Sequence, residues 1–188
     1  AVHSNYMTEM GGLRKYLPVT HATFLIACLT IAGIPPLSGF FSKDEILTAA
    51  LHHNKILFAI EYAVAGLTAF YMFRLYFSIF WGKDRHYHHT PHEAPATMTI
   101  PLLILAAGSV FSGFLPFHSL VTTDGMEFET HIEMAVAIPS VLIGAAGIIV
   151  AWIMYRKETM LPDRIASALS YFYKWAYNKF YIDEVYLF

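Results

Sequence analysis

Hydrophobic positions along this chain fall into four long blocks, residues 19–53, 56–81, 98–116 and 134–155, separated by short polar stretches. A helix needs about 20 predominantly apolar residues to cross a hydrocarbon core about 30 Å thick, and each block has that reach. The pattern predicts an all-α fold, a polytopic bundle of four transmembrane spans. The first block is too long for one straight span at about 1.5 Å per residue. Inside it lies the string GIPPLSGFFSKDEIL, residues 33–47. Pro35 and Pro36 have no N–H to donate, and the residue before each is pushed out of the helical region, so the helix is expected to break there. Ser38 is placed to cap a second half-helix, with Gly39 and Phe40 completing its entry. Non-helical backbone at membrane depth is tolerated only against protein or a wet cavity. The break therefore predicts an internal polar site.

After the fourth block the pattern changes. Tyr171, Phe172, Tyr173, Trp175, Tyr177, Phe180, Tyr181, Tyr186 and Phe188 alternate with Lys174, Lys179, Asp183 and Glu184. Such a segment is too polar to cross the bilayer and is expected to lie along its interface, as the start of an amphipathic helix. The expected organisation is a cytoplasmic loop at 1–18, the four-span bundle at 19–155 and an interfacial segment at 156–188. No internal repeat is visible.

Composition agrees with a membrane protein: of 188 residues 56% are hydrophobic and only 14% charged, against about 25% charged in an ordinary soluble domain. The formal net charge of -2 argues against nucleic acid as a partner. The lone Cys28 excludes an internal disulfide and reads as a small buried hydrophobe. The chain opens without a basic-then-apolar leader and is expected to be a piece of a larger protein. Charge in the loops sets the orientation. Arg14 and Lys15, then Lys83 and Arg85, then Arg156 and Lys157 all fall on one side of a four-span topology. The other side has Lys55 and an acidic loop with Asp124, Glu127, Glu129 and Glu133. Cytoplasmic loops carry the excess of Lys and Arg, so the N-terminal end is expected in the cytoplasm, or in the matrix of an organelle.

Lys43 is the sharpest candidate for chemistry. About ten residues of helix, roughly 15 Å, separate it from the end of its block, which puts its ammonium near the bilayer midplane and beyond snorkelling reach. A charge there costs about 2.5 to 3.5 kcal/mol even on the gentler insertion scales, so stability alone is a poor reason for it. A lysine out of water beside a movable carboxylate can load and release a proton under electrostatic control. The alternative is a static ion pair with Asp44, Glu45 or a carboxylate elsewhere. Asp44 and Glu45 are adjacent and point to different sides of the helix, with Asp44 preferred for a supporting role. In the second block, Glu61 and Arg74 lie near opposite ends, where either can anchor the helix at the surface. Thr68, Tyr71 and Arg74 share a face that suits a hydrated path, although a packing face with the small Ala65 and Ala69 is the preferred reading.

The run HYHHTPHE at 86–93 collects His86, His88, His89, His92 and Glu93. Its spacing is not that of a closed zinc site and Pro91 marks a surface loop, so it reads as solvated, without metal. No phosphate loop, nucleophile triad, haem motif or CxxC is present, so no redox cofactor is expected in this chain.

Four strings now support a resemblance: MGGLRKYLP at 10–18, AGIPPLSGFFSKDEIL at 32–47, YMFRLYFSIFWG at 71–82 and YNKFYIDEVY at 177–186. In this order they resemble the L-type, or mitochondrial subunit 5-like, antiporter-like membrane subunits of NADH:quinone oxidoreductase, respiratory complex I. The resemblance covers essentially the whole chain, and its most specific part is FFSKDEIL. Multisubunit sodium/proton antiporters share the proline-broken helix, with a weaker match around 177–186. The resemblance implies that Lys43 is the proton relay of an exit half-channel, with Asp44 beside it. It implies that the four spans are the twelfth to fifteenth of sixteen and that the aromatic tail begins a long lateral helix. It further implies a multi-pass protein of the bacterial inner membrane, partnered by other membrane subunits of complex I, lipid and protons. NADH, flavin, iron–sulfur clusters and quinone would belong to other subunits. A sodium/proton antiporter subunit and a structural membrane scaffold are the alternatives.

Overall fold

The structure is a computed structural model, and it describes residues 6–83, 85, 87, 89–115, 132–157 and 159–186. His86, His88, Pro116, Asp124, Glu127, Glu129 and Phe188 lie outside the described residues. Every regular element among the described residues is helical. The helices are α1 (Pro18–Ala32), α2 (Ser38–His53), α3 (Lys55–Phe80), α4 (Ala96–Phe111), α5 (Met134–Tyr155), α6 (Leu161–Ala168), α7 (Ser170–Tyr177) and α8 (Ile182–Tyr186).

Three helical stretches are long and apolar enough to cross a membrane: Lys55–Phe80, Ala96–Phe114, which adds a 3₁₀ turn to α4, and Met134–Tyr155. α1 is apolar but shorter. The chain leaves helical geometry after Ala32 and resumes it at Ser38, so Pro35 and Pro36 stand between two separate helices. Ser38 does not cap the second one. Leu37 holds the N-cap position, with no side-chain cap, and the turn is closed instead by backbone bonds from Leu37 N–H to the Ile34 carbonyl (3.1 Å) and from Phe40 N–H to the Leu37 carbonyl (3.0 Å). Gly39 is required because a Cβ there would run into the Thr30 carbonyl of α1.

The chain divides into two compact units, Ala1–Lys157 and Glu158–Phe188. In the first, α3 packs most extensively against α5 and also against α1 and α2. Small residues bring α3 and α5 together: a Cβ on Gly147 would sit 2.6 Å from the Gly66 carbonyl oxygen, and one on Gly66 would sit 2.8 Å from Ile143. Close backbone approach of this kind is how helices gain packing energy where lipid removes the hydrophobic drive. The core collects Leu13, Leu17, Cys28, Ala32, Ala69, Phe73, Tyr76, Phe77, Phe80 and Ala151. Ile60, Leu67, Leu103, Leu105, Leu142 and Ile153 are exposed on the outer faces of α3, α4 and α5, as suits contact with lipid or further helices.

The second unit holds α6, α7 and α8, whose side chains are exposed apart from the half-buried Pro162 and Ala166 of α6. It is interrupted rather than continuous: Lys179, Phe180 and Tyr181 have φ of 50°, 56° and 57°, a left-handed stretch between α7 and α8. Lys179 and Asp183 form an ion pair at 2.7 Å.

Candidate functional site at the helix break

α1 ends with four carbonyls, those of residues 29–32, that have no partner within the helix. Gly33 follows in the left-handed conformation (φ 77°, ψ 38°) and turns its N–H to the carbonyls of Leu29 and Thr30. Ile34 N–H reaches the Leu29 carbonyl at 3.1 Å, which completes a Schellman closure. Two carbonyls remain, and Lys43 takes both. Its ammonium donates to the Ile31 oxygen at 3.2 Å and to the Ala32 oxygen at 3.4 Å. Lys43 stands in the second turn of α2, so its side chain reaches back across the break to place a cation at the negative end of the α1 dipole. Gly33 serves this arrangement twice, by its positive φ and because a Cβ there would lie 2.8 Å from Lys43 Cδ.

Asp44 is only 3% exposed, and its Oδ1 is buried without a hydrogen-bond partner. Glu45, the next residue, is exposed. Among the described residues Lys43 has no carboxylate within ion-pair distance, so the static pair with Asp44 or Glu45 is not formed.

The other end of α1 also depends on a charged residue from elsewhere. Leu17 at the N-cap position has no side-chain acceptor and Pro18 has no N–H. Glu93 supplies what is missing. Its Oε2 accepts from Val19 N–H at 2.7 Å and Thr20 N–H at 3.3 Å, and its Oε1 accepts from the Thr20 hydroxyl at 2.6 Å and Ala94 N–H at 3.1 Å. Burial works against the carboxylate, but these four hydrogen bonds outweigh it and hold Glu93 below the usual glutamate range. The sequence reading put Glu93 in a solvated loop; the structure makes it a helix cap. A helix start at Leu17–Pro18 without a capping side chain was the available signal, although it does not say which distant acceptor answers it. Among the described residues no three His, Cys, Asp or Glu side chains come together as a metal site.

The remaining candidates are dispersed. The Thr68 hydroxyl donates to the Val64 carbonyl at 2.7 Å within its own helix. Tyr71 is 49% exposed, and the exposed Arg74 lies 5.3 Å from the centre of the Tyr155 ring. A polar group the sequence reading did not single out sits near the start of α1. His21 Nε2 and Tyr76 Oη are 2.7 Å apart, and Trp81 Nε1 donates to the same Tyr76 oxygen at 3.3 Å. Beside it, Arg14 and Arg156 flank the Trp81 ring at 4.0 and 5.0 Å. With Lys83 and Arg85 packed against Gly11, all three basic loops thus meet at one end of the bundle. His52 and Glu133 pair at the end where α2 finishes and α5 begins.

A family model described as NADH:quinone oxidoreductase/Mrp antiporter, TM, matches residues 1–70, which include the whole break. The NAD(P)H-quinone oxidoreductase chain 5 of Picosynechococcus sp. is 40% identical in an alignment that covers 99% of this chain and 33% of the relative. The chain belongs to this antiporter-like membrane-subunit family. The chloroplastic NAD(P)H-quinone oxidoreductase subunit 5 of Mesostigma viride is 39% identical over 96% of this chain and 30% of its own length. The NADH-quinone oxidoreductase subunit L of Rickettsia bellii is 34% identical over 100% of this chain and 32% of its own. The chain therefore spans about a third of the length of the curated relatives it matches. Family membership and the three long apolar helices together make it an integral membrane protein.

Proposed function

We propose that this chain is part of a proton-translocating membrane subunit of an NADH:quinone oxidoreductase, with Lys43 as the proton relay of its exit half-channel. The observation that carries this reading is the position of Lys43. Its ammonium spans a helix break to bond two backbone carbonyls, beside a buried Asp44 with an unpartnered oxygen. The negative end of α1 favours the charged lysine. A change of charge nearby, driven by quinone reduction elsewhere in the complex, shifts that preference and frees the proton to Asp44.

In this reading α1 and α2 together make one broken crossing, and the bundle has four spans. The end that carries Arg14, Trp81 and Arg156 faces the cytoplasm of a bacterial cell, because cytoplasmic loops concentrate positive charge. Thr68, Tyr71 and Arg74 extend the polar route along α3. NADH, flavin, iron–sulfur clusters and quinone belong to partner subunits, and this chain moves only the proton. The relatives' names favour the oxidoreductase over a free-standing sodium/proton antiporter.

Replacing Lys43 with alanine in the full complex tests the reading. Assembly is expected to be normal and proton pumping per NADH to be lost. Pumping that persists at the parental ratio would overturn it.

A further inference from the structure

Three buried side-chain oxygens among the described residues have no hydrogen-bond partner: Asp44 Oδ1, Thr48 Oγ1 and Glu61 Oε2. Native interiors satisfy such atoms with protein, water or ligand, so an orphan marks a place where something polar belongs. These three are not scattered. All lie on the hairpin that Asn54 makes by ending α2 and capping α3, its side chain accepting from Ile56 N–H. Thr48 and Glu61 fall at similar distances on either side of Asn54, which puts them at about the same height in the hairpin.

Along α2 the spacing is regular. Asp44, Thr48 and His52 follow one another at i, i+4 and i+8, each step about 6 Å along the axis on one ridge. The ridge starts at a carboxylate 3% exposed. It ends at His52, whose Nε2 lies 3.0 Å from Glu133 Oε1, with those side chains 66% and 37% exposed. Glu133 is also within electrostatic reach of Asp44. A buried polar atom thus connects, one helical turn at a time, to a titratable pair at the surface.

We propose that protons leave Lys43 along this ridge, from Asp44 through water held at Thr48 and Glu61 to His52, and pass outside at the His52–Glu133 pair. The proposal rests on the reading of Lys43 as the relay. An N–H bond of the Lys43 ammonium breaks and an O–H bond forms on Asp44, by way of water. Asp44 passes its proton to the water chain at Thr48, and the chain delivers one to His52 Nδ1. With its Nε2–H facing Glu133, the imidazolium gives that second proton to the Glu133 carboxylate. Glu133 releases it to bulk water, and the neutral imidazole resets its tautomer. One proton crosses and no group is consumed.

The test uses the complete complex in proteoliposomes and reads proton flux during NADH oxidation. Thr48→Val removes the hydroxyl at nearly constant shape, and His52→Ala and Glu133→Gln remove the last two stations. Each is expected to lower proton flux, His52→Ala by on the order of a hundredfold, the low end for a positioned proton-transfer group. Added imidazole should restore flux to His52→Ala. Glu45→Gln, exposed and off the ridge, should pump normally. If Lys43→Gln stops pumping while Thr48→Val, His52→Ala and Glu133→Gln all pump at the parental rate, the route is overturned and the relay stands. If Lys43→Gln also pumps, the underlying reading fails. A loss in His52→Ala that imidazole does not restore would make His52 structural and overturn its place in the route.

Discussion

The two ends of α1 are held by the same electrostatic device, and they differ in how completely it is satisfied. At the N-terminus the Glu93 carboxylate accepts four hydrogen bonds, from Val19, Thr20 and Ala94, the shortest at 2.6 Å. At the C-terminus the Lys43 ammonium makes two longer ones, at 3.2 and 3.4 Å, next to an Asp44 oxygen with no partner. Both charges suit the dipole end they meet. A charge with its bonding capacity used up acts as a fastening. A charge with one spare donor beside an unpartnered acceptor has somewhere else to send a proton. The contrast gives a criterion, in the bonding left unused, for telling a fastening from the relay proposed at Lys43.

The largest structural effect is expected at Gly33. Gly33→Ala forces a side chain into a left-handed residue, at about 1 to 2 kcal/mol, and against Lys43 Cδ 2.8 Å away. It should lower the thermal midpoint of the subunit within the complex and disturb pumping together, because it damages the break and the cap at once. A stable Gly33→Ala variant would mean that Lys43 does not need the path the structure gives it.

Glu93→Ala should cost about 1 kcal/mol, the usual loss when a helix N-cap is removed. Its thermal midpoint is expected to fall while protons pumped per NADH in the assembled complex stay unchanged. A fall in that ratio would erase the distinction between the two caps.

The smallest effect is the pH dependence of the same cap. Hydrogen bonding holds Glu93 below its usual range in the folded protein. A carboxylate lowered in this way contributes stability that is fully present above the unfolded value, about 4.3, and is lost as pH falls through the lower folded value. The difference in thermal midpoint between the parent and Glu93→Ala should be constant at neutral pH and shrink below about pH 4.3. A difference that shrinks between pH 7 and 5 would assign the stability to another group.

What the sequence made legible follows the range of each interaction. Hydrophobic blocks at 56–81 and 134–155 coincide with Lys55–Phe80 and Met134–Tyr155 to within a residue, because apolar runs bounded by polar residues are a local property. The interruption at Pro35 and Pro36 is local too, since proline removes its own N–H. The caps are not local. Glu93 is 74 positions from Val19, and nothing in HYHHTPHE indicates that its last residue closes a helix start far upstream. Lys43 stood out by its depth, but its attachment to Ile31 and Ala32 depends on how the chain turns at Gly33 and Gly39. Ser38 was misjudged for the same reason: backbone bonds from Leu37 and Phe40 close that turn, so the hydroxyl has no cap to make. In the second unit, the aromatic pattern suggested an interfacial segment at the start of an amphipathic helix and did not reveal the left-handed residues at Lys179, Phe180 and Tyr181.

The most direct test of the central claim is Lys43→Gln in the complete complex, with proton translocation measured per NADH oxidised. Glutamine keeps N–H donors for the Ile31 and Ala32 carbonyls but cannot carry a proton across the break. The expected result is a complex that assembles with near-parental thermal stability and does not pump through this subunit. Normal pumping by Lys43→Gln would contradict the account and leave Lys43, like Glu93, as a fastening.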